Sequence, residues 1–154
     1  MTRVIAADRV HGSAVAFVLQ GEAVALLLLG KSGTGKSELA LELMAMGGVL
    51  VADDQTLLER RGAAIVLRAP PTIRGLIEMR GLGILHAETL EQARLVAVVD
   101  LDEIETSRLP ERGFAEVLGV RVPCLRNCAS RAFPAGLKQY ILSCAIQAWQ
   151  DKTS

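Results

Sequence analysis

Apolar residues run together in some stretches of this chain and recur at helical or strand spacing in others. Ala23 to Leu29 is apolar without a break, as in a strand buried on both faces. Ser13 to Leu19 precedes it across Gln20-Gly21-Glu22, so residues 13–29 are predicted to form a β-hairpin. Thr2 to Arg9 is weakly patterned and fits an edge strand. Glu38 to Met46 is built from strong helix formers and stops at Gly47-Gly48, which predicts a short helix. Val49 to Ala52 is an apolar strand running into Asp53-Asp54. Thr56–Glu59 and Ala63–Leu67, around Arg60-Arg61-Gly62, predict a second hairpin that Pro70-Pro71 ends. Arg94 to Leu101 is a further strand. Asp102 to Gly119 is polar without a period and is expected to be a mobile or partner-facing loop. Gly119 to Pro123 fits a short strand. Pro134 to Trp149 is expected to be a closing helix, with Leu137, Ile141, Cys144, Ala145 and Ala148 at helical spacing.

Between the first hairpin and the first helix lies Gly30-Lys31-Ser32-Gly33-Thr34-Gly35-Lys36-Ser37. It fits G-x-x-x-x-G-K-[ST], the phosphate-binding loop (P-loop), and its strand–loop–helix setting is the one that motif requires. The glycines let backbone N–H groups converge on an anion, and the helix N-terminus adds its dipole. Lys36 would reach the β- and γ-phosphates, and the Ser37 hydroxyl would sit on Mg²⁺. Asp53-Asp54, at a strand end one short helix later, supplies the acid that a second metal-binding or catalytic element needs. Aspartate is also common in turns, so the pair alone admits a purely structural role. Glu78 and Arg80 would share a face if extended. Gly75, Gly81 and Gly83 argue for loops or close backbone approach in the same stretch.

Composition narrows the function. The chain has 154 residues, a formal net charge of zero and a sequence pI near 6.7. No basic stripe marks a nucleic-acid surface, and with 3% aromatic residues there is little to stack on bases. At 51% hydrophobic content the chain is expected to fold as one globular domain over 1–154, with no repeat, linker or membrane span. The N-terminus has no signal-peptide pattern, so Cys124, Cys128 and Cys144 are expected to be reduced cytosolic thiols. Cys124 and Cys128 could share a helix face, but the two histidines lie far away in sequence and a zinc site is not expected.

Several motifs together resemble the catalytic domain of the HPr kinase/phosphorylase family. They are His11-Gly12, Gly33-Thr34-Gly35-Lys36-Ser37-Glu38, Leu41-Glu42-Leu43, Val51-Ala52-Asp53-Asp54 and Glu78-Met79-Arg80-Gly81-Leu82-Gly83-Ile84. The last is similar to the family's E-I-R-G-L-G-I signature. The resemblance implies an α/β fold: a P-loop-containing, carboxykinase-like mixed sheet with β-hairpins and flanking helices. It implies a cytoplasmic protein-serine kinase that uses ATP and Mg²⁺ to phosphorylate the phosphocarrier protein HPr of the phosphotransferase system, with a possible reverse phosphorolysis. By resemblance the enzyme is a hexamer, Lys36 binds phosphate, Ser37 and Glu78 bind the metal, and Asp54 is the base. His11 supports catalysis, as does Arg108 in Ser107-Arg108-Leu109, where Pro110 replaces the family's glycine. The chain resembles the short form that lacks an N-terminal domain. Pro123-Cys124-Leu125-Arg126-Asn127 keeps the arginine-asparagine of the family's P-G-R-N element without its spacing, which predicts a weak or absent reverse reaction. Two other readings share the loop: a small-molecule kinase on the same scaffold, and a nucleotide-sensing regulator without turnover. Retention of both Asp54 and Glu78 favours an enzyme over the regulator.

Overall fold

The computed structural model describes residues 3–153. Met1 and Thr2, the latter part of the expected first strand, lie outside the described residues, as does Ser154. The fold is mixed α/β and mostly strand. In chain order come β1 (Arg3–Ile5), β2 (Arg9–Leu19), β3 (Glu22–Leu29), α1 (Lys36–Ala45), β4 (Val49–Ala52), β5 (Gln55–Arg61) and β6 (Ala64–Arg68). They are followed by β7 (Leu76–Met79), β8 (Gly83–His86), β9 (Ala93–Ile104), β10 (Gly113–Val117), β11 (Val120–Asn127) and α2 (Phe133–Thr153).

The main sheet runs β1-β10-β11-β9-β3-β2-β5-β6, and β6 pairs back onto β9 through Val66↔Arg94 and Leu67↔Ala93. Strands β9, β3, β2, β5 and β6 therefore close on themselves. This closure gives β3 its unbroken apolar run. Ala25, Leu27 and Leu29 face one core with Val51, Leu58, Ile65 and Val98. Val24, Leu26 and Leu28 face another with Leu39, Leu43, Leu137 and Ile141 of the two helices. A strand buried on both faces favours an apolar side chain at nearly every position. Strands β3 and β9 are parallel, with Leu29 opposite Asp100, so both deliver their C-terminal ends to the Gly30–Ser37 loop.

The helices pack together on the second core, and Lys138 Nζ donates to the Met46 carbonyl at the end of α1 at 2.6 Å. A cation there also complements the negative end of the α1 dipole. Among the described residues no helix is long and apolar enough to cross a membrane.

Several expectations change. The first hairpin pairs from Gly12 to Leu29, close to the expected 13–29, but its first strand begins earlier, at Arg9, because residues 9–11 pair with β5. Residues 102–104 extend β9, and 113–117 form β10, so only 105–112 of the expected long loop is irregular. β10 is held by β11 on one side and β1 on the other, pairings that no local pattern announces. β11 continues to Asn127, which puts Cys124 on a strand and removes the helix face it was expected to share with Cys128. Glu78 lies on β7, but Arg80 falls in the turn before β8, so the two do not share a strand face. The closing helix starts at Phe133 and runs to Thr153. Its apolar stripe ends early: Leu137 and Ile141 are buried, whereas Ala148 is exposed.

Tyr140, the chain's one tyrosine, is half-buried on α2. Burial first, and then the Cys144 sulfur, push its phenol up to about 12, against a smaller opposing effect from Arg112. A folded pKa above the unfolded value near 10 means that the neutral phenol's contribution is complete below that pH and is lost as pH rises towards 12. Phenolate absorbance should therefore titrate near pH 12 in the folded chain, with stability falling between pH 10 and 12. A midpoint at 10 would contradict this packing.

Candidate functional site

The site forms where one strand is interrupted. β4 and β5 both pair antiparallel with β2, through Ala14↔Ala52 on one side and His11↔Gln55 on the other. Between them Asp53 and Asp54 leave the ladder. Asp54 takes a left-handed backbone with φ 68°, a conformation that aspartate tolerates better than most residues. The break is repaired locally. Gly12 N donates to the Asp54 carbonyl at 2.8 Å, and Asp54 N donates to Ser13 Oγ at 3.1 Å. The buried Thr56 hydroxyl donates to the Gly12 carbonyl at 2.9 Å.

The bend sends the two aspartates to different surroundings. Asp53 is buried, and its Oδ1 accepts the hydroxyls of both Ser13 and Ser37 at 2.8 Å. Its Oδ2 accepts the backbone N–H of Glu78 at 3.2 Å. One carboxylate therefore ties β2, the start of α1 and β7 to the end of β4. Asp54 is exposed, with its Oδ1 3.4 Å from His11 Nε2, while Gln55 Nε2 lies 3.3 Å from His11 Nδ1.

The Gly30–Ser37 loop joins β3 to α1. A Cβ on Gly30 would run into Thr34 Oγ1, so the loop closes this tightly only with glycine there. Gly35 sits at the N-cap of α1 with φ 92°, and no side chain caps the helix. The N–H groups of the first turn are thus left for an anion. Lys31, Ser32 and Gly33 form the exposed outer part of the loop. Lys36 is buried, and its Nζ donates to the carbonyls of Gly30 at 2.7 Å and Lys31 at 3.1 Å. Beside the loop opens a cleft of about 380 Å³, lined among others by Gly35, Glu38, Leu39, Asn127 and Arg131.

The Ser37 hydroxyl and the Asp53 carboxylate converge within hydrogen-bond distance beside this loop. Hard oxygen donors of this kind fit Mg²⁺, which binds one or two carboxylates and takes its remaining ligands from phosphates and water. Among the described residues no group of three or more His, Cys, Asp and Glu side chains forms a metal site by itself. Burial first, and then Asp100, push the Cys124 thiol up, away from a reactive thiolate.

The family profile described as HPr Serine kinase C-terminal domain matches residues 3–125 of this fold. The chain belongs to that family. It is 40% identical to an HPr kinase/phosphorylase of Caldicellulosiruptor bescii over 128 residues, covering 75% of this chain and 40% of the relative. An HPr kinase/phosphorylase of Cupriavidus metallidurans is 38% identical over 130 residues, covering 77% of this chain and 40% of the relative. The chain thus spans about 40% of the length of the curated relatives it matches. Among solved structures, the Hpr(Ser) kinase/phosphatase from Coxiella burnetii matches with a TM-score of 0.73 at 20% identity, covering 92% of this chain and 99% of that one. At that identity the match speaks for the fold.

In this family member the residues singled out from sequence do not all meet. Lys36, Ser37, Asp54 and His11 lie around the broken ladder, and Glu78 joins them through its backbone N–H, its side chain being exposed. Arg108 is exposed in the 105–112 segment and Arg126 is exposed on β11, with no hydrogen bond or ion pair joining either to this cluster among the described residues. Asn127 lines the cleft, and its Nδ2 donates to the Leu101 carbonyl at 3.3 Å. Sequence reasoning missed Ser13, which bridges the two aspartates, and Arg131, which reaches the cleft just ahead of α2. A hydroxyl inside an otherwise apolar strand was the available signal for Ser13. Ser13→Ala should cost about 1–3 kcal/mol, because the Asp54 N–H loses its buried acceptor. Urea unfolding measures the loss, and unchanged stability would mean that the bridge carries no weight.

Proposed function

We propose that this chain is an ATP-dependent protein-serine kinase acting on HPr in the cytoplasm. The observation that carries the reading is the Asp53 carboxylate, which brings the Ser37 hydroxyl, the bend that exposes Asp54 and the Glu78 backbone to one place. The family and the names of its relatives support the substrate.

In this reading Gly30 to Ser37 is the phosphate-binding loop, with its N–H groups and the start of α1 facing the phosphates. Lys36 exchanges its carbonyl partners for phosphate oxygens. Ser37 and Asp53 would hold Mg²⁺ with Glu78 as a further carboxylate, and the ion would supply neutralisation of phosphate charge. Asp54 accepts the proton of the substrate serine as that oxygen bonds to the γ-phosphorus and the bond to the ADP oxygen breaks. His11, 3.4 Å from Asp54, orients the carboxylate. Most of the catalysis is positioning and charge neutralisation, and the base contributes about 10²–10⁴-fold.

Two finer features complete the proposal: assembly as a hexamer, and a reverse phosphorolysis that is weak or absent. Arg126 and Asn127, the residues that resemble part of the family's P-G-R-N element, lie on β11 and not in a loop of their own. Arg108, exposed in its irregular segment, would act on the transferring phosphoryl group only after that segment moves.

The deciding experiment incubates the chain with purified HPr, Mg²⁺ and labelled ATP. Label should appear on a serine of HPr. Asp54→Asn should lower that rate by about 10²-fold or more with ATP affinity nearly unchanged. No transfer to HPr, with transfer to a small hydroxyl compound, would favour the small-molecule kinase. ATP binding without any transfer would favour the regulator.

A further inference from the structure

The Gly30–Ser37 loop is gripped from outside as well as from within. The Gly30–Lys31 peptide is held on both sides. Its carbonyl accepts Lys36 Nζ at 2.7 Å, and its N–H donates to Asp102 Oδ1 at 3.0 Å. Asp102 lies on β9, the strand parallel to and paired with β3. Asp102 is itself fixed, since its backbone N–H donates to Asp100 Oδ1 at 3.0 Å. The other oxygen of the buried Asp100 accepts the Arg3 guanidinium at 2.9 Å. A continuous chain of bonds thus runs from β1 through the end of β9 to the second residue of the loop. The next peptide is tied as well: the Lys31 carbonyl accepts Thr34 Oγ1 at 2.7 Å and Thr34 N at 3.2 Å.

We propose that Asp102 is a positioning residue for phosphate binding, acting through the loop backbone and not on the ligand. The inference rests on the reading of the loop as a phosphate site. Asp102 exerts two effects of opposite sign. Its hydrogen bond holds the first loop peptide in place before a ligand arrives, so binding does not have to order it. Its negative charge lies beside a site for anions and repels them. An exposed aspartate kept only for surface charge would do the second without the first.

The two effects separate by substitution. Asp102→Asn keeps an acceptor oxygen and removes the charge, whereas Asp102→Ala removes both. Calorimetry with Mg²⁺ and pyrophosphate, and again with ATP, should give affinity about tenfold weaker for Asp102→Ala. Asp102→Asn should bind at least as tightly as the unsubstituted chain. A purely destabilising effect would weaken both variants in step with their melting temperatures and would overturn the proposal. Amide exchange read by NMR without ligand supplies the independent check. The Lys31 N–H should exchange faster in Asp102→Ala and stay protected in Asp102→Asn. If Asp102→Ala leaves both the Lys31 exchange rate and the affinity unchanged, the proposal is overturned. If the unsubstituted chain binds neither ligand, the phosphate-site reading fails, and so does the role assigned to Asp102 in it. The exchange data then show whether the grip on the loop exists at all.

Discussion

The site depends on one buried carboxylate. Asp53 has little access to water, so its charge must be compensated by donors, and it receives them from Ser13, Ser37 and the Glu78 N–H. Those donors belong to three elements that are not neighbours in sequence. Satisfying one anion therefore fixes where the loop, the strand break and the β7–β8 hairpin stand relative to one another. The same bend that buries Asp53 turns Asp54 out with a positive φ. Adjacent aspartates thus acquire separate surroundings: one is an anion enclosed by donors, the other an accessible carboxylate beside His11.

The scaffold around this point is built to resist deformation. Strand β3 is packed on both faces, and the return of β6 to β9 closes five strands into a ring. The loop springs from the end of that ring, next to the end of β9. A site set on strand ends of a packed sheet is held more precisely than one on free loops. The exposed parts stand apart from this frame: the 105–112 segment with Arg108, and the tip of the β7–β8 hairpin, where Leu82 and Ile84 are open to solvent.

Elements with a strong local signature were legible in the sequence. The uninterrupted apolar run of β3, the glycine-lysine-serine loop and the helix formers after it each carry their own physics, and they mark where the fold begins. The second hairpin followed from its turn residues, and the strand at Arg94 from its apolar run. Features made by distant pairing were not legible. β10 reads as polar loop because its partners, β1 and β11, lie elsewhere in the chain. The break between β4 and β5 is invisible in a window that sees only an apolar strand followed by two acids. An extended strand would also have put the aspartates on opposite faces, but here the left-handed turn at Asp54 separates them. The importance of Ser13 and Asp102 depends on contacts 40 and 71 residues away in sequence, and neither residue type is distinctive where it stands.

The central claim is that Asp53, through Ser37, forms the metal side of a phosphate site. It is tested most directly by the Mg²⁺ dependence of ATP affinity in Asp53→Asn, measured by calorimetry with Mg²⁺ and with a chelator. Asparagine keeps an acceptor for the two hydroxyls, removes the charge and loses the acceptor of the Glu78 N–H, so the comparison is made on a variant shown to be folded by its melting transition. The account predicts that Mg²⁺ strengthens ATP binding to the unsubstituted chain by about tenfold or more, and that this gain largely disappears in the variant. An undiminished Mg²⁺ effect in a folded Asp53→Asn chain would contradict it.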